Sequence, residues 1–237
     1  MITVDFKCLN PHARSRILDI GCGTGRHTAA AYDLRKGAVV GADPDFNDLL
    51  AARERLDLHH AWTPRIKGVW SLAAADMTRL PFKDGSFDIV ICSEVLEHIG
   101  PWRRAVRESI RVLEPQGHLV VSVPRRWPEA ICWALSQGYR DTPGGHIRIF
   151  KTDDLVRRIR SEGLLHWRTH HAHGLHTPYW WLKCLLGIER PHLWPVAAYQ
   201  RFLTWEMMKK PRLTRCLEQC LNPLMGKSVV LYFRKAI

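Results

Sequence analysis

Short apolar runs alternate along the first half of the chain with stretches whose apolar positions recur every three or four residues. The runs 16–20 (RILDI), 38–42 (AVVGA), 69–75, 87–92 (FDIVIC) and 117–123 (GHLVVSV) predict strands. Residues 26–36, 46–58 and 101–113 carry the helical period between them. Strands that alternate with helices predict a parallel sheet with crossover helices. After Pro124 the alternation breaks. Residues 125–145 hold Trp127, Trp133, Tyr139 and a Pro-Gly-Gly turn, and predict an irregular insertion with one short helix. Trp127, Ile131 and Leu135 would share a face of that helix. A helix over 152–162, capped by Thr152, ends before Gly163. Strand six is expected at 165–171 and a last strand at 228–234 (SVVLYFR), with a second insertion, 174–226, between them.

The chain has 237 residues, 46% of them hydrophobic, enough for one α/β domain with insertions. No stretch approaches the roughly 18 uninterrupted apolar residues of a spanning helix. The N-terminus lacks a basic segment followed by an apolar run, so no secretory signal is read there. Seven cysteines without a CxxC pattern read as reduced thiols, which together with the missing signal predicts a cytoplasmic protein. A formal charge of +12 and ten tryptophans allow an anionic partner, either nucleic acid or a membrane surface.

Residues 17–25 read I-L-D-I-G-C-G-T-G, a buried strand running into a glycine-rich turn and then a helix. Such a turn lets the backbone approach a ligand closely. A dinucleotide fingerprint needs G-x-G-x-x-G, and its third glycine would fall on Arg26. The run is instead G-x-G-x-G, with Asp19 two residues ahead of Gly21.

That run resembles motif I of the class I S-adenosylmethionine-dependent methyltransferases. Further matches follow in order: Asp43 at the end of strand two, Asp76 in A-A-D-M after strand three, L-P-F-K-D-G-S-F-D (80–88) and L-E-P-Q-G-H-L (113–119). The resemblance spans roughly residues 14–165 and the last strand. It resembles in particular the methyltransferase type 11 and ubiquinone-pathway O-methyltransferase branch. It implies an α/β fold: a doubly wound, mostly parallel, seven-stranded Rossmann-like sheet with an antiparallel last strand. The whole chain would be one domain, capped by the insertions 125–145 and 174–226. It also implies that S-adenosylmethionine lies against Asp19, Gly21, Gly23, Gly25, Asp43, Pro44, Asp76, Met77 and Ser93. Asp43 would take the ribose hydroxyls and Asp76 the adenine side. An S-adenosylmethionine-binding protein with other chemistry is the alternative, because fold does not fix reaction.

Directly after strand four the chain reads C-S-E-V-L-E-H-I (92–99). If 94–98 form a helical turn, Glu94, Glu97 and His98 share one face. Two carboxylates and an imidazole suit a divalent cation such as Mg or Mn, which would acidify an acceptor hydroxyl. This E-x-x-E-H resembles the metal site of the ubiquinone-pathway O-methyltransferases and of the small-RNA 2′-O-methyltransferases. The quinone enzymes also carry a Gly-x-His before a Phe, similar to G-G-H-I-R-I-F (144–150) here. Glu94, His98 and His146 are therefore the candidate catalytic residues, and Glu97 and His146 complete the candidate metal set. A second histidine group, H-H-A-H-G-L-H (170–176), places His171 and His173 on one strand face and His170 on the other; it lacks the cysteine partners at fixed spacing of a usual zinc site, which disfavours a metal and favours an active-site rim.

Both insertions are aromatic and basic, which predicts a hydrophobic small-molecule acceptor: lipid, isoprenoid or phenolic. T-P-Y-W-W-L-K-C-L-L-G-I (177–188) reads either as a lid over the site or as an interfacial helix with Trp180 and Trp181 at a membrane surface. The resembled quinone enzymes have a membrane-associating insertion where 125–145 stands. An RNA substrate would need a basic stripe. Arg104, Arg107 and Arg111 share a face, but no RNA-binding module accompanies them, which disfavours nucleic acid.

Overall fold

The central runs become strands buried on both faces of one sheet, while the edge strands at 69–74 and 164–172 stay partly exposed. The computed structural model describes residues 2–12, 14–34, 37–62, 68–142 and 144–236. The strands are β1 (Arg16–Ile20), β2 (Ala38–Asp43), β3 (Val69–Ala74), β4 (Phe87–Ser93), β5 (Leu113–Pro124), β6 (Leu164–Ala172) and β7 (Ser228–Lys235). Their order is β3-β2-β1-β4-β5-β7-β6. The first five pair in parallel, and β7 runs antiparallel to both β5 and β6. The doubly wound seven-stranded sheet with an antiparallel last strand is thus present as expected.

The helices are α1 (Phe6–Leu9), α2 (Arg26–Tyr32), α3 (Phe46–Trp62), α4 (Trp102–Val112), α5 (Arg126–Leu135), α6 (Gln137–Arg140), α7 (Thr152–Arg160), α8 (His176–Leu186), α9 (Trp194–Lys209) and α10 (Arg212–Met225). Period-2 alternation divides β1 between two cores. Leu18 and Ile20 join Ala105 and Val106 of α4 and Leu155 and Ile159 of α7. Ile17 joins Phe6 of α1, Tyr32 of α2 and Leu56 of α3. On α4 the buried residues Ala105, Val106, Ser109 and Val112 follow the helical period.

Several local expectations change. Residues 125–145 contain two helices, α5 and α6, rather than one. The inward face of α5 is Pro128, Glu129 and Cys132, while Trp127 and Leu135 are exposed. A carboxylate is buried there because three polar partners hold it, as the site shows. Thr152 is the first residue of α7, and the cap position is Lys151, which makes no side-chain cap bond. β6 ends at Ala172, and His173 takes a left-handed conformation (φ 67°), so His171 and His173 do not share a strand face. Short α1 was not anticipated; Asp5 starts it by accepting from the Lys7 amide at 3.1 Å. The arginine face of α4 is partly paired: Arg111 binds Asp84 and Glu108, and Arg107 binds Glu162. The seven cysteines are all free thiols. No helix among the described residues is long and apolar enough to cross a membrane.

Candidate active site

The strand order reverses between β1 and β4, and in open α/β sheets the crevice beyond the strand ends at such a point takes ligands. Here it is a cavity of about 700 Å³ lined by Gly21, Gly23, Asp43, Pro44, Asp76, Met77 and Ser93, among others. The loop after β1 can only be built with glycine at Gly21. Its φ is 65°, and a Cβ there would stand 2.5 Å from Val95 Cγ2. The Gly21 amide donates to the Ala42 carbonyl at 2.7 Å, which ties the loop to the end of β2.

Asp43, at that end, is held by two amides: Gly23 N donates to Oδ2 at 2.8 Å and Asp45 N to Oδ1 at 2.9 Å. Each oxygen keeps a second lone pair, the capacity a ribose diol needs. Asp76 accepts from the amide and hydroxyl of Thr78, at 2.7 and 2.9 Å, and these bonds hold its carboxyl below the usual range. Asp19 is placed differently. It is fully buried beneath the loop and accepts from Thr28 Oγ1 of α2 at 2.7 Å. It is not among the residues lining the cavity. Its role is to anchor the start of α2 against β1, and burial pushes its carboxyl up to about 7.

A second cavity, of about 420 Å³, adjoins the first and shares Arg26, Glu94 and His98 with it. Its other walls include Tyr139, His146, Trp180, Ile188 and Lys227. The residues after β4 do not form the anticipated helical turn throughout. Glu94 has φ 58°, which turns the chain sharply at the strand end, and it accepts from Ser122 Oγ at 2.9 Å. Burial raises its carboxyl. Glu97, His98 and His146 do converge, each offering an N or O atom within 4.8 Å of the others, and Glu94 stands outside this group. Glu97 is fully buried, and neither of its carboxyl oxygens has a hydrogen-bond partner. Burial, then the neighbouring Glu94, pushes it well above the usual carboxyl range. The His98 and His146 rings meet edge-on, with centroids 5.0 Å apart. His98 Nδ1 lies 3.0 Å from the Gly145 carbonyl, and burial lowers its pKa.

The partner of His146 was not anticipated. Its Nδ1 lies 2.5 Å from Oε1 of Glu129. Glu129 is itself buried (1% exposed) and is further held by Tyr139 Oη at 3.3 Å and Lys227 Nζ at 3.6 Å. Burial alone would raise this carboxyl, but the His146 bond and the Lys227 charge outweigh it and hold it low. A carboxylate on one imidazole nitrogen fixes the ring and leaves Nε2 as the reactive nitrogen, as in hydrolase triads. Nothing in W-P-E-A marks Glu129 by its pattern; only the fold sets it opposite His146 and Lys227.

A methyltransferase-domain family matches residues 18–121, which span the glycine loop, Asp43, Asp76 and the 92–99 segment. The chain belongs to the class I S-adenosylmethionine-dependent methyltransferases. A methyltransferase of Streptomyces halstedii is 33% identical over 138 residues, 56% of this chain and 47% of that protein. The demethylmenaquinone methyltransferase of Beutenbergia cavernae is 37% identical over 110 residues, 45% of this chain and 40% of that protein. The crystal structure of a candidate methyltransferase of Bacillus halodurans superposes with TM-score 0.65 at 20% identity, covering 98% of this chain and 97% of that one. The chain spans about half the length of the curated relatives it matches. The family likeness lies in the cofactor half; α5, α6 and α8 to α10 fall outside the matched residues.

Proposed function

We propose that this methyltransferase O-methylates a hydrophobic small molecule held beneath α5, α6 and α8. The observation that carries the reading is the pair of adjoining cavities with His98 and Glu94 in their common wall. The larger fits the cofactor, since Asp43, Asp76 and the Gly21 loop match a nucleoside and an amino-acid moiety. When bound, S-adenosylmethionine supplies a methyl group on sulfur that is open to in-line attack. The smaller cavity orients the acceptor. Tyr139, Trp180 and Ile188 give it an apolar and aromatic lining, which suits a phenolic or isoprenoid acceptor. His146, fixed by Glu129, takes the acceptor proton at Nε2, and Glu129 stabilises the imidazolium that forms. His98, kept neutral by burial, contacts the acceptor from the shared wall. Transfer of a methyl group needs little beyond alignment and a deprotonated acceptor. The demethylmenaquinone relative, whose name points to a quinone acceptor, supports the hydrophobic class.

A second reading has a specific observation in its favour. The unpaired carboxyl of Glu97 fits a hard divalent cation, with His98 and His146 as the nitrogen donors. The cation would lower the pKa of an acceptor hydroxyl. We also propose that the α9–α10 side rests on a membrane surface, where such acceptors dissolve.

The deciding experiment incubates the protein and isotope-labelled S-adenosylmethionine with a total lipid extract. S-adenosylhomocysteine should form, and a lipid should gain the mass of one CH2. Cofactor binding without turnover on any extract would sink the reading. Full activity in chelator would remove the metal version and leave the His146 version standing.

A further inference from the structure

Among the described residues, two clusters bring three metal-ligating side chains within reach of one ion. The first is the active-site group above. The second lies where β6 hands over to α8. His173 occupies the turn after β6, His176 is the first residue of α8, and Glu218 sits on α10. Each offers one N or O atom, and all three lie within 4.8 Å of one another.

We propose that His173, His176 and Glu218 bind a divalent transition-metal cation of the zinc type, which clasps α10 to the β6–α8 turn. His176 is buried (6% exposed), and its Nδ1 has no hydrogen-bond partner, a deficit that a coordinated cation removes. Two imidazoles and a carboxylate make a donor set that selects zinc and its neighbours over magnesium or calcium. Bonds of about 2.0–2.1 Å at a tetrahedral centre set donors about 3.3 Å apart, so the three groups close by at most about 1.5 Å. Glu206, buried on α9, lines the same cavity. Its charge and that of Glu218 balance Lys210 and Arg215 at the cavity wall.

Such a clasp fits the mechanics of this region. α10 buries only Thr214, so packing alone holds it weakly. Two bonds already tie its far end to the same turn. The Gly174 amide donates to Asn222 Oδ1 at 2.8 Å, and Thr177 Oγ1 donates to the Met225 carbonyl at 2.6 Å. Glu218, Asn222 and Met225 follow the helical period, so the proposed ligand extends one existing line of attachment. His173 also lines the smaller active-site cavity, so the clasp would steady one of its walls. The proposal does not depend on which acceptor the enzyme uses.

The test is zinc binding to the chelator-treated full chain, read by competition with a chromophoric chelator, with cobalt absorption as a second probe. Glu218→Gln and His176→Ala should each lose one equivalent relative to the parent, or weaken it at least tenfold. His98→Ala, in the other cluster, should keep that equivalent. Zinc at about a hundredfold excess over Kd should raise Tm by about 5–10 °C in the parent and not in Glu218→Gln. Glu218→Gln preserves shape, so it reports even where His176→Ala fails to fold. No zinc bound by the parent, or parental binding by Glu218→Gln, overturns the proposal. So does loss of the equivalent in His98→Ala alone.

Discussion

A carboxyl group sealed beneath a glycine loop is in an expensive place for a charge. Asp19 has one side-chain partner, Thr28, and burial raises it to about 7. An unfolded aspartate titrates near 3.9. Between about pH 4 and pH 7 the folded state therefore keeps a proton that the unfolded chain has lost. The contribution of Asp19 to stability is full below that window and is lost as pH rises through it. Three pKa units correspond to about 4 kcal/mol, an order-of-magnitude figure. Asp19→Asn should flatten this part of the profile: the fall in Tm between pH 5 and pH 8 should be smaller than in the parent. An equal fall in both would show that Asp19 is ionised throughout. Glu129 is the opposite case, a buried carboxylate kept charged by its neighbours. Glu129→Gln removes the charge that steadies His146. We expect kcat to fall by about 10²-fold or more, with KM for S-adenosylmethionine unchanged. An unchanged kcat would leave Glu129 as a packing residue.

At the scale of elements, the parts that could be read in the sequence are those whose meaning is contiguous. β1, its glycine loop and α2 are neighbours in the chain, and Asp43 ends β2 while Asp76 follows β3 by two residues, so strand periodicity locates them. Glu129, Tyr139 and Lys227 come from α5, α6 and the residue just before β7, and they meet only because β7 inserts between β5 and β6 and brings Lys227 beneath α5. The helical turn expected at 94–98 begins only at Val95, for a local reason: Glu94 adopts the left-handed conformation needed to leave β4. The surroundings of its two tryptophans bear on the two readings of α8. Trp180 lines the smaller cavity, and Trp181 Nε1 donates to the Pro128 carbonyl of α5 at 3.1 Å. Both are half-buried, which supports the proposal that α8 acts as a lid. Trp180→Ala should raise KM for a hydrophobic acceptor about tenfold, from lost aromatic contact, while cofactor affinity is unchanged. Equal KM values would remove the acceptor from this cavity.

At the scale of the molecule, turning Trp180 and Trp181 inward moves the proposed membrane contact to α9 and α10. α9 buries only Val196, Leu203 and Glu206, and α10 buries only Thr214. Outside remain Trp194 (76% exposed), Met208 (77%) and Leu213 (81%), with Lys209 and Arg212 between them in the chain. Large apolar side chains flanked by cations are what an anionic headgroup layer accepts: aromatics enter the interface and basic residues face lipid charge. The excess of +12 supplies long-range attraction to the same surface. Each basic residue near such a surface is worth about 1 kcal/mol. The double charge reversal Lys209→Glu and Arg212→Glu should therefore weaken co-sedimentation with phosphatidylserine-containing vesicles by at least about thirtyfold. Trp194→Ala should weaken it further without altering activity on an acceptor dispersed in detergent, because Trp194 lies outside both cavities. Binding to neutral vesicles that equals binding to anionic ones and resists salt would remove the electrostatic part. Sedimentation of neither kind would mean that the acceptor reaches the lid from solution, and the exposed face of α9 and α10 would then need another partner to cover it.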